Sequence, residues 1–230
     1  MSYRQHDVPG AKRGGPRQPV APKLPASLAL ARSPEDLLEN EGVYLSLEYA
    51  NIDLSNRPVA SEEIDQCRFK TVNFGRSELD RARISDSEFL GCDFANLQAQ
   101  ESSLVRVSFS GSRMTGMTWA DGSLREVTVG SCRMDMAAFR FSTFKSVVFS
   151  DCKLVQSDFQ AADLRGARFE RCDLTGAQFS KAQMEGTRLS DCTLDGVGGV
   201  TSMRGAIVTS RDAIGLAYTL ASALGIRIED

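Results

Sequence analysis

The stretch 159–179, FQAADLRGARFERCDLTGAQF, places a large apolar residue at every fifth position, with Phe and Leu alternating. The rule holds from Ile64 to Leu194: of the 27 residues whose numbers end in 4 or 9, only Ala99 is not large and apolar. A helix repeats its apolar face about every 3.6 residues and a strand every 2, so a period of five fits neither. The pattern predicts a coil in which each five-residue unit forms one side.

Small residues stand two positions before the large ones, at numbers ending in 2 or 7, and all six cysteines belong to this class. Five of the six are separated by multiples of 20, namely Cys92, Cys132, Cys152, Cys172 and Cys192. A coil of four pentapeptides stacks these five in one column, whereas a fifteen-residue coil divides the cysteines among three faces. The sequence therefore predicts a four-sided, all-β solenoid with an inward-facing ladder of these cysteines.

Units such as Ala162-Asp163-Leu164-Arg165-Gly166 and Cys172-Asp173-Leu174-Thr175-Gly176 resemble the repeat of the pentapeptide repeat proteins, a bacterial family that includes gyrase-protecting members. The resemblance covers about 27 consecutive units. It implies a right-handed quadrilateral β-helix, a handedness that the spacing alone does not supply. Many units carry Arg, Thr, Ser or Gln where the family has Asp or Asn, so the corner turns are not predicted.

The N-terminal segments differ from the repeats. Residues 1–32 are rich in proline and basic residues, which predicts a disordered arm that acts as a solubilising linker or contacts acidic surfaces. Residues 33–60 predict a cap: a short helix from Ser33-Pro34-Glu35-Asp36 to Gly42, and then a strand. In that strand the alternating apolar residues are Val43, Leu45, Leu47 and Tyr49. The β-helix is expected over 61–197.

Residues 198–230 predict a C-terminal capping helix. Gly198 and Gly199 break the register, and Ser210 begins a helix that runs to about Leu224. One apolar stripe, expected to dock, contains Ile214, Ala217, Ala221 and Leu224, and a second contains Leu216, Leu220 and Ala223. Two stripes indicate either deep burial or pairing with a second subunit. The resemblance implies a two-fold dimer, for which the candidate residues are Ile214, Leu216, Leu220 and Leu224, and a monomer is the alternative.

The residues do not indicate catalysis. The only histidine, His6, lies in the arm, which argues against a histidine-based triad or a multi-histidine metal centre. Ser142-Thr143-Phe144-Lys145 matches a Ser-x-x-Lys pattern, but Ser142 occupies an inward small-residue position. The cysteines fit a reduced core ladder better than a metal or redox site, which needs an accessible, electropositive setting. We expect no enzyme activity, no cofactor and no metal.

The sequence predicts a cytoplasmic protein. No stretch approaches the roughly 20 apolar residues of a membrane span. The apolar segment Leu24–Ala31 contains Pro25 and Ser27 and barely reaches the lower length bound of a signal core, so secretion is the less favoured alternative. Reduced thiols are typical of the cytoplasm.

Binding remains as the expected function. The resemblance implies imitation of duplex DNA and protection of DNA gyrase against quinolones or peptide toxins. Duplex DNA carries one phosphate charge per roughly 1.7 Å. Residues 61–197 carry 20 acidic and 17 basic side chains, and the four sides sum to about −2, +1, 0 and −2. We therefore expect a protein-binding scaffold. A DNA mimic that binds a type II topoisomerase is the alternative, and neither binds nucleic acid or a membrane directly.

Three apolar residues occupy outward positions that are polar in most units: Met136, Phe141 and Val155. The twenty-residue register places Met136 and Val155 on the same corner in successive coils. These three residues are the candidate contacts with a partner protein.

Overall fold

The computed structural model describes residues 17–32 and 37–228. Most of this chain winds into a β-solenoid of about nine turns that is followed by a single C-terminal α-helix. The predicted right-handed quadrilateral β-helix is confirmed. Among the residues described, no helix has the length and apolar character needed to cross a membrane.

Short parallel strands form the sides of the coil. Thirteen strands of the described chain belong to one sheet, and β4 and β7 form a second. The strands are β1 (Ala29–Leu30), β2 (Val43–Leu45), β3 (Leu47–Ala50), β4 (Pro58–Ala60), β5 (Glu63–Asp65), β6 (Arg68–Lys70), β7 (Glu78–Asp80), β8 (Arg83–Ser85), β9 (Glu88–Leu90), β10 (Ser103–Ser110), β11 (Ser123–Gly130), β12 (Thr143–Ser150), β13 (Arg168–Glu170), β14 (Arg188–Ser190) and β15 (Ile207–Val208). A 3-10 helix covers Val200–Met203, and helix α1 covers Ser210–Ala223.

From β2 to β14, paired strands lie twenty residues apart, as Leu124 does from Phe144 and Phe149 from Phe169. We number the four walls by their buried core columns. Wall 1 contains Ile64, Ile84, Leu104, Leu124, Phe144, Leu164 and Met184; wall 2 contains Phe69, Phe89, Phe109, Val129, Phe149, Phe169 and Leu189; wall 3 contains Phe74, Phe94, Met114, Met134, Leu154, Leu174 and Leu194; wall 4 contains Leu79, Ala99, Trp119, Phe139, Phe159 and Phe179.

The chain turns at residues whose numbers end in 1 or 6, and these corner residues have left-handed backbone conformations. Asp151 and Gln156, for example, both have φ of 55°. A side chain in this region costs roughly 1–2 kcal/mol. The corner amides donate to the next coil, as the N–H of Asp151 does to the carbonyl of Glu170 at 2.9 Å. These bonds offset the strain, so the corners accept many residue types besides Asp and Asn.

Stacked aromatic rings run along the core. The ring centroids of Phe89 and Phe109 are 4.8 Å apart, and those of Phe149 and Phe169 are 4.9 Å apart. Val129 interrupts this ladder in wall 2, next to a small cavity of about 20 Å³ in the core. The rest of the interior is filled by these ladders, which leaves no room inside for a ligand larger than a water molecule.

The file of small inward residues ties successive coils together. The hydroxyl of Ser102 donates to the carbonyl of Leu79 at 2.6 Å, and the thiol of Cys172 donates to the carbonyl of Phe149 at 3.5 Å. Both acceptors lie 23 residues earlier in the chain. A short side chain with an O–H or S–H group fits this position, which explains the preference for Ser, Thr and Cys.

The prediction of a disordered arm is wrong for residues 17–32, which lie against the solenoid, while residues 1–16 are outside the described chain. Strand β1 pairs with β3, with Ala29 opposite Leu47. Further upstream, the N–H groups of Val20 and Lys23 donate to carboxylates of the coil. The arm is held because its extended backbone meets acceptors that the composition alone does not reveal.

The coil register begins one turn before the predicted boundary at residue 61. Strand β2 pairs with β5, and β3 with β6, both with a shift of twenty residues. Tyr44 and Tyr49 are buried, whereas Val43 and Leu45 are 72% and 58% exposed. The alternation predicted there is therefore wrong, because the chain already turns a corner at Ser46, whose φ is 56°. The predicted helix start at 33–36 lies outside the described residues, and residues 37–42 form no helix.

At the other end, Gly198–Gly199 does change the register, since β15 pairs with β14 at a shift of nineteen residues instead of twenty. Helix α1 follows, and its N-cap is Thr209, whose hydroxyl accepts from the N–H of Asp212 at 3.3 Å. Ser210, predicted as the cap, is the first helical residue.

Candidate functional site

Met136 and Phe141 are exposed apolar side chains on the coil surface. They are 57% and 56% exposed, and Val155 is half-buried. The N–H of Met136 donates to the carbonyl of Val155 at 2.8 Å, so these two residues lie on one corner in successive coils, as the register predicts. Phe141 lies on the next corner, at the other side of wall 4. The structure thus separates Phe141 from the other two by the width of one wall.

Their apolar character makes these two side chains unusual among the corner residues. Met136 and Phe141 have φ of 57° and 59°, and the other non-Gly residues of the described chain with positive φ are polar, charged or Ala. An exposed apolar side chain gains little from burial. The equivalent corner residues before and after Phe141 are Asp121 and Ala161. Neither folding nor local propensity therefore accounts for Phe at position 141.

Three outward positions of wall 4 beside these corners carry small, uncharged side chains, while Arg140, between Ala138 and Phe141, is exposed and charged. Thr118 and Ala138 pair in neighbouring coils, and both are partly exposed, as is Ala120. We call Thr118, Ala120, Met136, Ala138 and Phe141 the wall-4 patch. Thr118, Ala120 and Ala138 are not among the residues predicted from the sequence, although the run of uncharged outward positions in this wall is visible there.

Helix α1 leaves an apolar face uncovered. Ile214, Tyr218 and Leu224 are 70%, 65% and 75% exposed, and Leu220 is 42% exposed. Leu216 is the candidate that packs against the core. The stripe of Ile214 and Leu224, expected to dock, therefore points away from the solenoid. In the second stripe Leu216 makes the docking contact, whereas Leu220 and Ala223 are exposed.

The Ser-x-x-Lys pattern is structural. Ser142 is fully buried; its hydroxyl donates to the carbonyl of Trp119 at 2.7 Å and accepts from the N–H of Gly122 at 3.0 Å. Lys145 is exposed on the outside of the wall. Both hydrogen-bonding capacities of the hydroxyl are used by the backbone, so Ser142 is not placed as a nucleophile.

The six cysteines are buried and carry free thiols. Cys92, Cys132, Cys152, Cys172 and Cys192 form the inward column that the sequence predicts, and Cys67 lies in another file. Burial raises the pKa of Cys67 to about 11 and also raises the pKa of Cys92. Within the described part of the chain, no group of three or more Cys, His, Asp or Glu side chains could hold a metal ion.

A polar cleft lies between the last coil and α1. Asp191, Asp195, Arg211 and Asp212 line it. Asp212 is buried, and its Oδ2 atom has no hydrogen-bond partner among the residues described. The lining also contains the buried Cys192 and the exposed Thr193, and no histidine.

Charges on the coil surface are paired between successive turns. Arg83 lies 2.8 Å from Glu63, Arg113 lies 3.2 Å from Asp93, and Arg171 lies 2.7 Å from Asp151. In each pair the base stands twenty residues after the acid, directly above it in the stack. The pairing holds the pKa of Asp151 below its ordinary value through the hydrogen bond from Arg171. Acidic side chains therefore do not form an uninterrupted ladder.

Comparison with known proteins agrees with this geometry. The family model described as the pentapeptide repeat region matches residues 62–139 and 130–198. No protein of curated function matches the chain.

Three solved structures are similar to this chain at low identity. HetL, a pentapeptide repeat protein involved in heterocyst differentiation regulation from the cyanobacterium Nostoc sp. strain PCC 7120, is 18% identical over 73% of this chain and 87% of its own, with a TM-score of 0.31. QnrB1, a plasmid-mediated fluoroquinolone resistance protein, is 16% identical over 81% and 99%, with a TM-score of 0.38. Rfr23 from the cyanobacterium Cyanothece 51142 is 14% identical over 71% and 88%, with a TM-score of 0.18.

Proposed function

Because this chain belongs to the pentapeptide repeat family, we propose that it is a non-catalytic, cytoplasmic scaffold that binds another protein through the wall-4 patch. The observation that carries the proposal is the pair of exposed apolar side chains, Met136 and Phe141, at left-handed corners. The other left-handed corners of the described chain carry no large apolar side chain. A contact surface favours such residues, because a partner can bury them together with the small side chains beside them.

The geometry of the patch suits a flat partner surface. Thr118 and Ala138 pair through a parallel β-bridge and present small side chains, as does Ala120, and Met136 and Phe141 lie at the corners on either side of Ala138. Arg140 lies between Ala138 and Phe141 and is paired with Asp158 of the next coil at 2.6 Å. This is an apolar centre with a polar rim, in which a large aromatic residue supplies much of the binding energy.

Replacing Phe141 by Asp tests the proposal. We expect Phe141→Asp to weaken capture of the partner by at least about tenfold, because it places a charge where an apolar contact is buried. The fold is expected to survive, since Asp tolerates a left-handed corner better than Phe does. Quantitative pull-downs with the wild-type and variant proteins measure the loss, and thermal unfolding measures the stability.

The matched control is Ser131→Asp, which adds the same charge at an exposed left-handed corner, φ 53°, between walls 2 and 3. Proteins captured by the wild type and by Ser131→Asp, but lost with Phe141→Asp, are partners of the patch. Equal capture by all three proteins refutes the proposal.

The second candidate is a DNA mimic that binds a type II topoisomerase such as gyrase and confers quinolone resistance. Its support is the rod shape: about nine turns at roughly 4.8 Å each give a length on the order of 43 Å. The paired charges on the surface favour the scaffold instead.

We also propose that the scaffold is a homodimer formed through α1. Its support is the exposed face of Ile214, Tyr218, Leu220 and Leu224. Leu216 is excluded from the interface in this proposal, because it packs against the core of its own chain.

A further inference from the structure

Residues 17–31, which we call the strap, run along the outside of the solenoid against the direction of stacking. Gln18 contacts Arg168, Val20 contacts Glu126, Lys23 contacts Asp86, and Ala29 pairs with Leu47. Twelve residues of the strap, from Gln18 to Ala29, thus cross six coils. Three outward-facing residues near this path are buried: Asp86, Val148 and Arg168 are 6%, 7% and 6% exposed. The strap therefore covers the corner between walls 1 and 2.

Two carboxylates at this corner accept hydrogen bonds from backbone N–H groups of the strap. The N–H of Val20 donates to Oε2 of Glu126 at 2.7 Å, and the N–H of Lys23 donates to Oδ1 of Asp86 at 3.0 Å. Arg106 lies between them in the stack and donates to Oδ1 of Asp86 through its Nε at 2.6 Å. We call Asp86, Arg106 and Glu126 the acidic corner.

The spacing of the strap matches the spacing of the coils. Prolines stand at 16, 19, 22 and 25, a period of three. Three residues of a polyproline II segment advance about 9.3 Å, and two coils advance about 9.6 Å at roughly 4.8 Å each. Val20 and Lys23 are three residues apart and meet acids two coils apart. Each donor follows a proline, so every Pro-x-x unit presents one N–H group in the same direction.

A polyproline II segment has no internal hydrogen bonds, so its N–H groups are available to a partner. The carboxylates of the acidic corner accept charge-assisted hydrogen bonds from these N–H groups at a fixed interval. This arrangement favours segments with a proline at every third residue and does not depend on particular apolar side chains. Two acids beside one arginine also favour a basic segment. Lys23 fits this preference, since its charge lowers the pKa of Asp86 together with the larger effect of Arg106.

We propose that the acidic corner is a binding site for basic Pro-x-x-Pro segments, occupied in cis by the strap and available to such a segment of a partner protein when the strap is displaced. The site is separate from the wall-4 patch. The outcome of a test of the acidic corner therefore does not decide whether the wall-4 patch binds a partner.

The test uses the full chain with a loosened strap. Pro19→Gly and Pro22→Gly together give the strap more conformational freedom when unbound, and neither proline belongs to a coil. A fluorescent peptide with the sequence of residues 16–26 is titrated into the wild type and this variant. We expect the variant to bind the peptide about tenfold more tightly, as measured by fluorescence anisotropy, because the bound strap no longer competes as well.

A second peptide, N-methylated at the positions of Val20 and Lys23, lacks the two N–H donors and keeps the prolines. We expect it to bind the loosened variant at least about tenfold more weakly than the first peptide. Equal binding of both peptides, or equal binding of the first peptide by both proteins, overturns the proposal. Absence of any binding to the loosened variant overturns it as well.

Hydrogen exchange provides an independent readout in the full chain. The amides of Val20 and Lys23 are expected to be protected in the wild type and to lose protection when Asp86→Ala and Glu126→Ala are combined, because both acceptors are then removed. Glu63→Ala, at an exposed acid of wall 1, serves as the control. Fast exchange of both amides in the wild type contradicts the proposal.

Discussion

Glu62 is a carboxyl group in a position that the solenoid otherwise gives to uncharged side chains. From 62 to 197 it is the only charged residue at a number ending in 2 or 7. It is fully buried, and neither carboxylate oxygen has a hydrogen-bond partner among the described residues. Burial raises the pKa of Glu62 from 4.5 to about 7. The carboxyl group is therefore protonated in the folded protein at mildly acidic pH.

The raised pKa makes stability depend on pH. In the unfolded chain Glu62 loses its proton near pH 4.5, and in the folded chain it does so near pH 7. The unfolded state binds fewer protons in this window, so the free energy of unfolding falls as pH rises from about 4.5 to about 7 and then levels off. We expect a loss of at most about 3 kcal/mol. Urea unfolding at several pH values measures it.

The variant Glu62→Gln removes the titrating group, so the difference in stability between wild type and variant should change across this window. Glu63→Gln, at the exposed neighbour, should leave the difference constant. If the free energies of unfolding of the wild type and Glu62→Gln change equally from pH 4.5 to pH 7, then the pKa of Glu62 is not raised in the folded state.

Among the elements, helix α1 shows most clearly what stabilises the ends of the coil. Leu216 packs against the core and closes the last turn, while Ile214 and Leu224 remain exposed. We expect Ile214→Asp with Leu224→Asp to convert a dimer to a monomer, because two charges would be buried at the interface. Sedimentation velocity measures the mass. Ser123→Asp, at an exposed coil position, is the control and should remain dimeric.

A wild-type protein that sediments as a monomer across the micromolar range contradicts the dimer. So does a double variant that keeps the dimeric mass.

The core columns of the coil follow from the sequence, whereas the strap and the orientation of α1 do not. The period of five predicts every core column from Ile64 to Leu194, because stacking fixes which residues point inward. The strap was not predicted, since its composition resembles a disordered arm and its binding depends on carboxylates of Asp86 and Glu126 that only the fold aligns. The orientation of α1 was likewise not predicted, because two apolar stripes on one helix do not say which of them docks.

At the scale of the candidate site, the exposed pair Met136 and Phe141 could be read from the sequence, because the register identifies outward positions. Their separation by one wall follows from the same register. Thr118, Ala120 and Ala138 carry no signal individually, and they form one surface only because two successive coils stack.

The molecule as a whole is a rod whose surface charges neutralise one another. Duplex DNA as long as this rod displays about 25 phosphate charges. On the rod, acids such as Asp93 and Asp151 are paired with arginines one coil later. Exposed ion pairs add little stability, but they remove the long-range negative field that a mimic of DNA needs to attract a DNA-binding surface.

We therefore expect no effect of this protein on gyrase. In a supercoiling assay with and without a quinolone, titration to low micromolar concentrations should change neither the supercoiling rate nor the quinolone inhibition. A variant in which Arg83, Arg113 and Arg171 are replaced by Gln unpairs three acids and makes the rod more acidic. If the wild type inhibits or protects gyrase, and the variant does so more strongly, then the rod acts through its charge as a mimic of DNA and the scaffold proposal gives way. If neither protein acts, the rod shape alone is insufficient for that function.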